Sequence, residues 1–125
     1  MKKTILAVDD EVEICNIIYD FFTPKGYEVI KATSGKEAIE RVKTQKPDLV
    51  FLDIRMPQMD GLEVLKQIKQ IDRSITVIIV TVLKDEAIAK KALKLGAYDY
   101  VTKPISFDYL EKAVVLAELE SRNEA

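Results

Sequence analysis

The stretch Leu49-Val50-Phe51-Leu52-Asp53-Ile54-Arg55-Met56-Pro57 decides the fold, because four apolar residues run into a single carboxylate and then into a turn. The run is too short for a helix and carries β-branched and aromatic side chains, so it reads as a strand buried on both faces. Asp53 falls at the C-terminal end of that strand. Open parallel α/β sheets bind ligands in the crevice outside the carboxyl ends of their strands, which makes Asp53 the candidate functional centre. Aspartate also caps turns, so a purely structural role competes with the functional one until the rest of the chain is read.

Upstream of this strand, Pro47-Asp48 closes a helical segment from Gly35 to about Thr44, with Ser34 as N-cap and Glu37 completing a capping box. Before it, Tyr27 to Ala32 alternates apolar and polar residues as a less buried edge strand does. Pro24, Lys25 and Gly26 end a helix from Val12 to Lys25 whose apolar positions are Ile14, Ile17, Ile18, Phe21 and Phe22. The first strand, Thr4 to Val8, ends in Asp9-Asp10-Glu11.

Downstream, Pro57 and Asp60-Gly61 form a turn, and Leu62, Leu65 and Ile68 keep helical spacing to about Ile71. Ile75 to Thr81 is the most strand-like run in the chain, and Asp85 to Leu95 reads as a helix stopped by Gly96 in a left-handed cap. Tyr98 to Val101 is a short last strand; Lys103-Pro104 breaks the chain, and Phe107 to about Glu120 closes it as a helix. Five strands alternating with five helices predict an α/β fold: a five-stranded parallel sheet, doubly wound, flavodoxin-like, in the order 2-1-3-4-5. The expected organisation is one domain over residues 1-121, with residues 122-125 a polar tail or the start of a linker.

At 125 residues, 48% of them apolar, the chain can bury a real core as one domain. A net charge of -2 with acids and bases interspersed argues against direct nucleic-acid binding by this segment and against a membrane surface. No apolar run approaches a bilayer span and Lys2-Lys3 is not followed by a signal-peptide core, so the expectation is a cytoplasmic protein. The single cysteine, Cys15, lies among Ile14, Ile17 and Ile18 and reads as a packed core thiol. With no histidine, the chain has neither a zinc cluster nor a histidine base.

The polar residues that follow the apolar runs all fall at strand C-termini: Asp9 and Asp10, Asp53, Thr81, and Lys103. The sheet order sets the first, third and fourth strands side by side, so these side chains should converge on one mouth. Neighbouring carboxylates repel by roughly 4 kcal/mol per pair at about 4 Å and an effective dielectric of about 20, so something must bind there to offset the charge. Oxygen ligands alone select a hard cation, typically Mg2+, with Asp9, Asp10 and Asp53 as ligands. A carboxylate beside such an ion can act as a nucleophile and take up a phosphoryl group, whose oxygens Lys103 and the Thr81 hydroxyl would hold.

The set Asp9-Asp10, Asp53 with Met56-Pro57 and Asp60-Gly61, Thr81, Gly96-Ala97, Tyr100 and Lys103-Pro104 resembles the receiver domain of bacterial two-component response regulators over essentially the whole chain. The resemblance implies a phosphorylation-activated signalling switch, with Asp53 as phosphoacceptor and a histidine kinase or histidine phosphotransfer protein as donor. It implies Asp9, Asp10 and Asp53 as Mg2+ ligands with the Arg55 backbone carbonyl, Thr81 and Tyr100 as switch residues, Lys103 as phosphoryl contact, and a cis bond before Pro104. Phosphoryl transfer and autodephosphorylation would be self-catalysed rather than enzymatic in the ordinary sense. The output surface would be formed by Asp85 to Leu95, Tyr98 to Val101 and Phe107 to Glu120, facing a second copy or an effector domain. Val82 departs from the small residue usual after the switch threonine. A branched side chain there would obstruct water and small phosphodonors, or simply continue the strand.

Other readings fare worse on the residues. A flavin mononucleotide binder needs a first loop that welcomes phosphate, whereas Asp9-Asp10-Glu11 repels one. Ser34-Gly35-Lys36-Glu37 lacks the upstream glycine and terminal hydroxyl of a P-loop. An aspartate-nucleophile phosphatase would carry an acid where Arg55 stands.

Overall fold

The computed structural model describes residues 2-123. The alternating pattern resolves into β1 (Thr4–Val8), α1 (Val12–Phe22), β2 (Glu28–Ala32), α2 (Gly35–Gln45), β3 (Leu49–Leu52), α3 (Gly61–Ile71), β4 (Thr76–Thr81), α4 (Glu86–Lys94), β5 (Asp99–Thr102) and α5 (Phe107–Asn123). All five strands are parallel and lie in the order β2-β1-β3-β4-β5, as expected.

Side-chain alternation along each strand divides the core into two layers. Leu6, Val8, Val50, Leu52, Val77 and Ile79 point to one face and pack with Val42, Leu65, Ile68 and Ala92 of α2, α3 and α4. Ile5, Ala7, Phe51, Ile78 and Val80 point to the other and pack with Cys15, Ile18 and Phe22 of α1 and Leu110 and Val114 of α5. Cys15 is fully buried, with Sγ 3.6 Å from the Ala7 and Asp9 carbonyl oxygens, and burial pushes its thiol pKa up. It is the core thiol the sequence suggested.

The caps carry the chain into and out of the helices. The Ser34 hydroxyl accepts from the Glu37 N–H at 3.1 Å, while the Glu37 carboxylate reaches back to the Thr33 N–H at 2.7 Å, one residue earlier than a standard box. Gly96 stops α4 at φ 108°, a left-handed position that suits glycine. Most boundaries agree with the sequence reading to within a residue; three features depart further. Helix α1 ends at Phe22 and continues as a 3-10 turn over Thr23–Lys25, because Pro24 has no N–H to extend the α-helical ladder. The expected turn after Asp53 contains a two-residue antiparallel ribbon, Arg55–Met56 against Met59–Asp60, closed by Gln58 at φ 69°. Helix α5 runs on to Asn123; of the expected tail, Glu124 and Ala125 lie outside the described residues. Among the described residues no helix is long and apolar enough to cross a membrane.

Candidate functional site

The register of the sheet brings the polar residues together. Val8 pairs with both Ala32 and Leu52, so the next residues along β1 and β3, Asp9 and Asp53, leave the sheet side by side. Backbone bonds continue the ladder one step beyond the strands: Asp9 N–H to the Ala32 carbonyl at 3.1 Å, Asp53 N–H to Val8 at 3.0 Å, and Lys103 N–H to Thr81 at 2.8 Å. Each of these three candidate residues is therefore anchored at its own backbone.

Carboxylate oxygens of Asp9, Asp10 and Asp53 lie within 4.8 Å of one another; Asp9 and Asp53 are buried and Asp10 is exposed. The Lys103 ammonium reaches between the buried pair, 2.7 Å from Asp9 Oδ2 and 3.1 Å from Asp53 Oδ2. The remaining oxygens are held from the backbone, Asp9 Oδ1 by the Glu11 N–H at 2.9 Å and Asp53 Oδ1 by the Arg55 N–H at 2.8 Å. Burial raises the Asp9 pKa against the bonds from Lys103 and Glu11, with the Asp53 charge adding to the rise. Burial also works against the Lys103 charge, but its bonds to Asp9 and Asp53 outweigh that and raise its pKa.

This corrects one step of the sequence reading. Lys103 itself offsets part of the carboxylate repulsion, so a bound ion is not the sole source of compensation. Three carboxylates against one ammonium still leave two formal negative charges, the charge a divalent cation would balance. An all-oxygen donor set of this kind fits a hard cation.

Thr81 ends β4 fully buried, its hydroxyl 3.4 Å from the Leu83 N–H, and Tyr100 on β5 donates its hydroxyl to the Leu83 carbonyl at 2.7 Å. The loop after β4 is thus held from both switch candidates. Sequence reasoning had no signal for Leu83, because its part is played by backbone atoms. Val82 follows the last strand residue and is 48% exposed, so it is not a buried continuation of β4. The Lys103–Pro104 peptide is cis. The side chain of Arg55 is exposed.

The sequence profile of the response regulator receiver domain matches residues 5–115, most of the chain. The chain belongs to the response regulator receiver family. This receiver domain is 44% identical over 107 residues to the transcriptional regulatory protein ZraR of Escherichia coli, covering 86% of the chain but only 24% of ZraR. It is 40% identical over 105 residues to the chemotaxis protein CheY of Thermotoga maritima, covering 83% of the chain and 88% of that protein. Among solved structures, the CheX-CheY-BeF3-Mg2+ complex of Borrelia burgdorferi matches with a TM-score of 0.85 and 33% identity, covering 90% of the receiver chain and 86% of that chain. The receiver domain is the phosphorylation-activated switch module of response regulators and works with histidine kinases and effector domains.

Proposed function

We propose that this receiver domain takes a phosphoryl group on Asp53 from the phosphohistidine of a histidine kinase or histidine phosphotransfer protein. The convergence of Asp9, Asp10, Asp53 and Lys103 at one strand edge carries the proposal. A donor outside the chain is required, since the chain has no histidine.

Asp9, Asp10 and Asp53 would hold Mg2+, together with the Arg55 backbone carbonyl, and the Mg2+ of the Borrelia CheX-CheY-BeF3-Mg2+ complex supports this choice of ion. When bound, the ion supplies charge neutralisation for the incoming phosphoryl oxygens. An Asp53 carboxylate oxygen attacks phosphorus in line; the O–P bond forms as the N–P bond to the donor imidazole breaks, and the imidazole leaves. Lys103, freed from Asp53 as that carboxylate becomes an acyl phosphate, moves its ammonium to a phosphoryl oxygen, and the Thr81 hydroxyl donates to another. Drawing Thr81 toward the phosphoryl group disturbs the Leu83 loop that Tyr100 also holds, which couples Asp53 to the surface of α4, β5 and α5. A second copy or an effector domain reads that surface, in the cytoplasm.

The test is transfer from a phosphorylated histidine phosphotransfer domain carrying labelled phosphate. Label should move to the receiver chain in the presence of Mg2+ and stay on the donor when EDTA is added. Transfer that is indifferent to EDTA would refute the metal-dependent route.

A further inference from the structure

The ribbon that follows Asp53 has an inner and an outer side. Met56 and Met59 pair across it and pack on the core, whereas Arg55 and Asp60, the other pair, are exposed. Arg55 is where the ribbon reaches the acid cluster, since its N–H holds Asp53 Oδ1 at 2.8 Å. The contact that steadies the ribbon lies elsewhere. The half-buried Met59 side chain rests on Gly35, the first residue of α2, where a Cβ would collide with the Met59 sulfur and come within 2.9 Å of a Val64 methyl of α3. Gly35 is not among the glycines at positive φ, so its backbone would accept a side chain, and glycine is the poorer choice inside a helix. Gly35 therefore makes space rather than a turn, and the unbranched Met59 thioether fills that space.

We propose that Met59 is a positioning residue for the Asp53 centre. Seated on Gly35 beside Val64, it sets how far the ribbon stands from α2 and so keeps the Arg55 N–H on Asp53 Oδ1. The Arg55 carbonyl, assigned above to Mg2+, is carried on the same ribbon. The bearing of Met59 on metal binding rests on the proposed function; its bearing on the Arg55 N–H does not. A Met59 that only filled the core would cost stability on removal without reaching Asp53.

Hydrogen exchange of the isotope-labelled, metal-free chain, followed by nuclear magnetic resonance, reads the clamp directly. In Met59→Ala the Arg55 amide should lose most of its protection, while the Glu11 amide, which holds Asp9 Oδ1 at 2.9 Å from outside the ribbon, keeps its own. Calorimetric titration should show Mg2+ bound roughly tenfold more weakly by Met59→Ala than by the parent, and Met59→Leu, which conserves volume, should stay close to the parent. Gly35→Ala loads the same contact from the other side and should act like Met59→Ala. Joined with Met59→Ala, its methyl enters the vacated space, and part of the protection and affinity should return. Circular dichroism identifies any variant that fails to fold. Arg55 protection and Mg2+ affinity that match the parent in folded Met59→Ala and Gly35→Ala would overturn the proposal. Because exchange is read without metal or phosphodonor, a parent chain that binds no Mg2+ would count against the proposed function, and the Arg55 amide would still decide the role of Met59.

Discussion

At Asp9, burial outweighs the hydrogen bonds that favour the charged carboxylate. Its carboxylate is buried beside Asp53, and only the Lys103 ammonium and one backbone N–H stand against the cost. Asp9→Asn removes that buried charge and leaves Lys103 its bond to Asp53. The melting temperature without metal should therefore rise, while the stabilisation that Mg2+ gives the parent chain should shrink by most of its value. Thermal scans of both proteins with and without Mg2+ check this; a parent chain indifferent to Mg2+ would remove the metal from the mechanism. Val82 poses a second question at the same scale. The structure places it half-exposed beyond the last residue of β4, so strand propensity does not explain it. Val82→Ala should speed both autodephosphorylation and labelling by phosphoramidate. Removing two methyls from a half-exposed position should cost less than about 1 kcal/mol of stability. Unchanged rates in the folded variant would show that the side chain does not obstruct the mouth.

At the scale of elements, the strands and helices follow from the apolar periods, and the five polar side chains were legible because each lies at or just beyond the end of an apolar run. The ribbon after Asp53 was not. Its formation depends on Gly61 lying against the Ile54 backbone, where a Cβ would collide, and a close approach across that distance has no local sequence period. The Lys103 bond to Asp9 was likewise invisible, since it spans 94 residues and required knowing what fills the mouth without an ion. A different long-range contact ties the edge of the sheet to the last helix. The Tyr27 hydroxyl, just before β2, donates to Glu118 of α5 at 2.8 Å, and burial with the Glu118 bond pushes its pKa up to about 12. The folded chain then keeps this proton above about pH 10 while the unfolded chain releases it. The contribution is complete below about pH 10 and is lost as the pH rises toward about 12. Allowing for solvent screening of a partly exposed group, the loss is about 1 kcal/mol. Denaturant unfolding of the parent and of Tyr27→Phe across this range should show the two stabilities converging at high pH; parallel curves would mean the contact adds nothing.

Over the whole molecule, two apolar layers cover the faces of one sheet, and the polar side chains of the candidate site gather at the strand ends that the layers leave open. The loop after β4, bonded by Thr81 on one side and Tyr100 on the other, joins that edge to the surface of α4, β5 and α5. The chain spans a minor part of some relatives and most of others, so the same module is found within larger regulators and in proteins of about its own length. The proposed function demands of this fold a single acceptor carboxylate. Intact-mass measurement after incubation with phosphoramidate and Mg2+, followed by borohydride reduction and peptide mapping, tests that demand most directly. One added phosphate, reduction at Asp53 alone, and no addition to the Asp53→Asn protein are expected; a phosphate that maps to another residue, or that persists in Asp53→Asn, would contradict the assignment of Asp53 as acceptor.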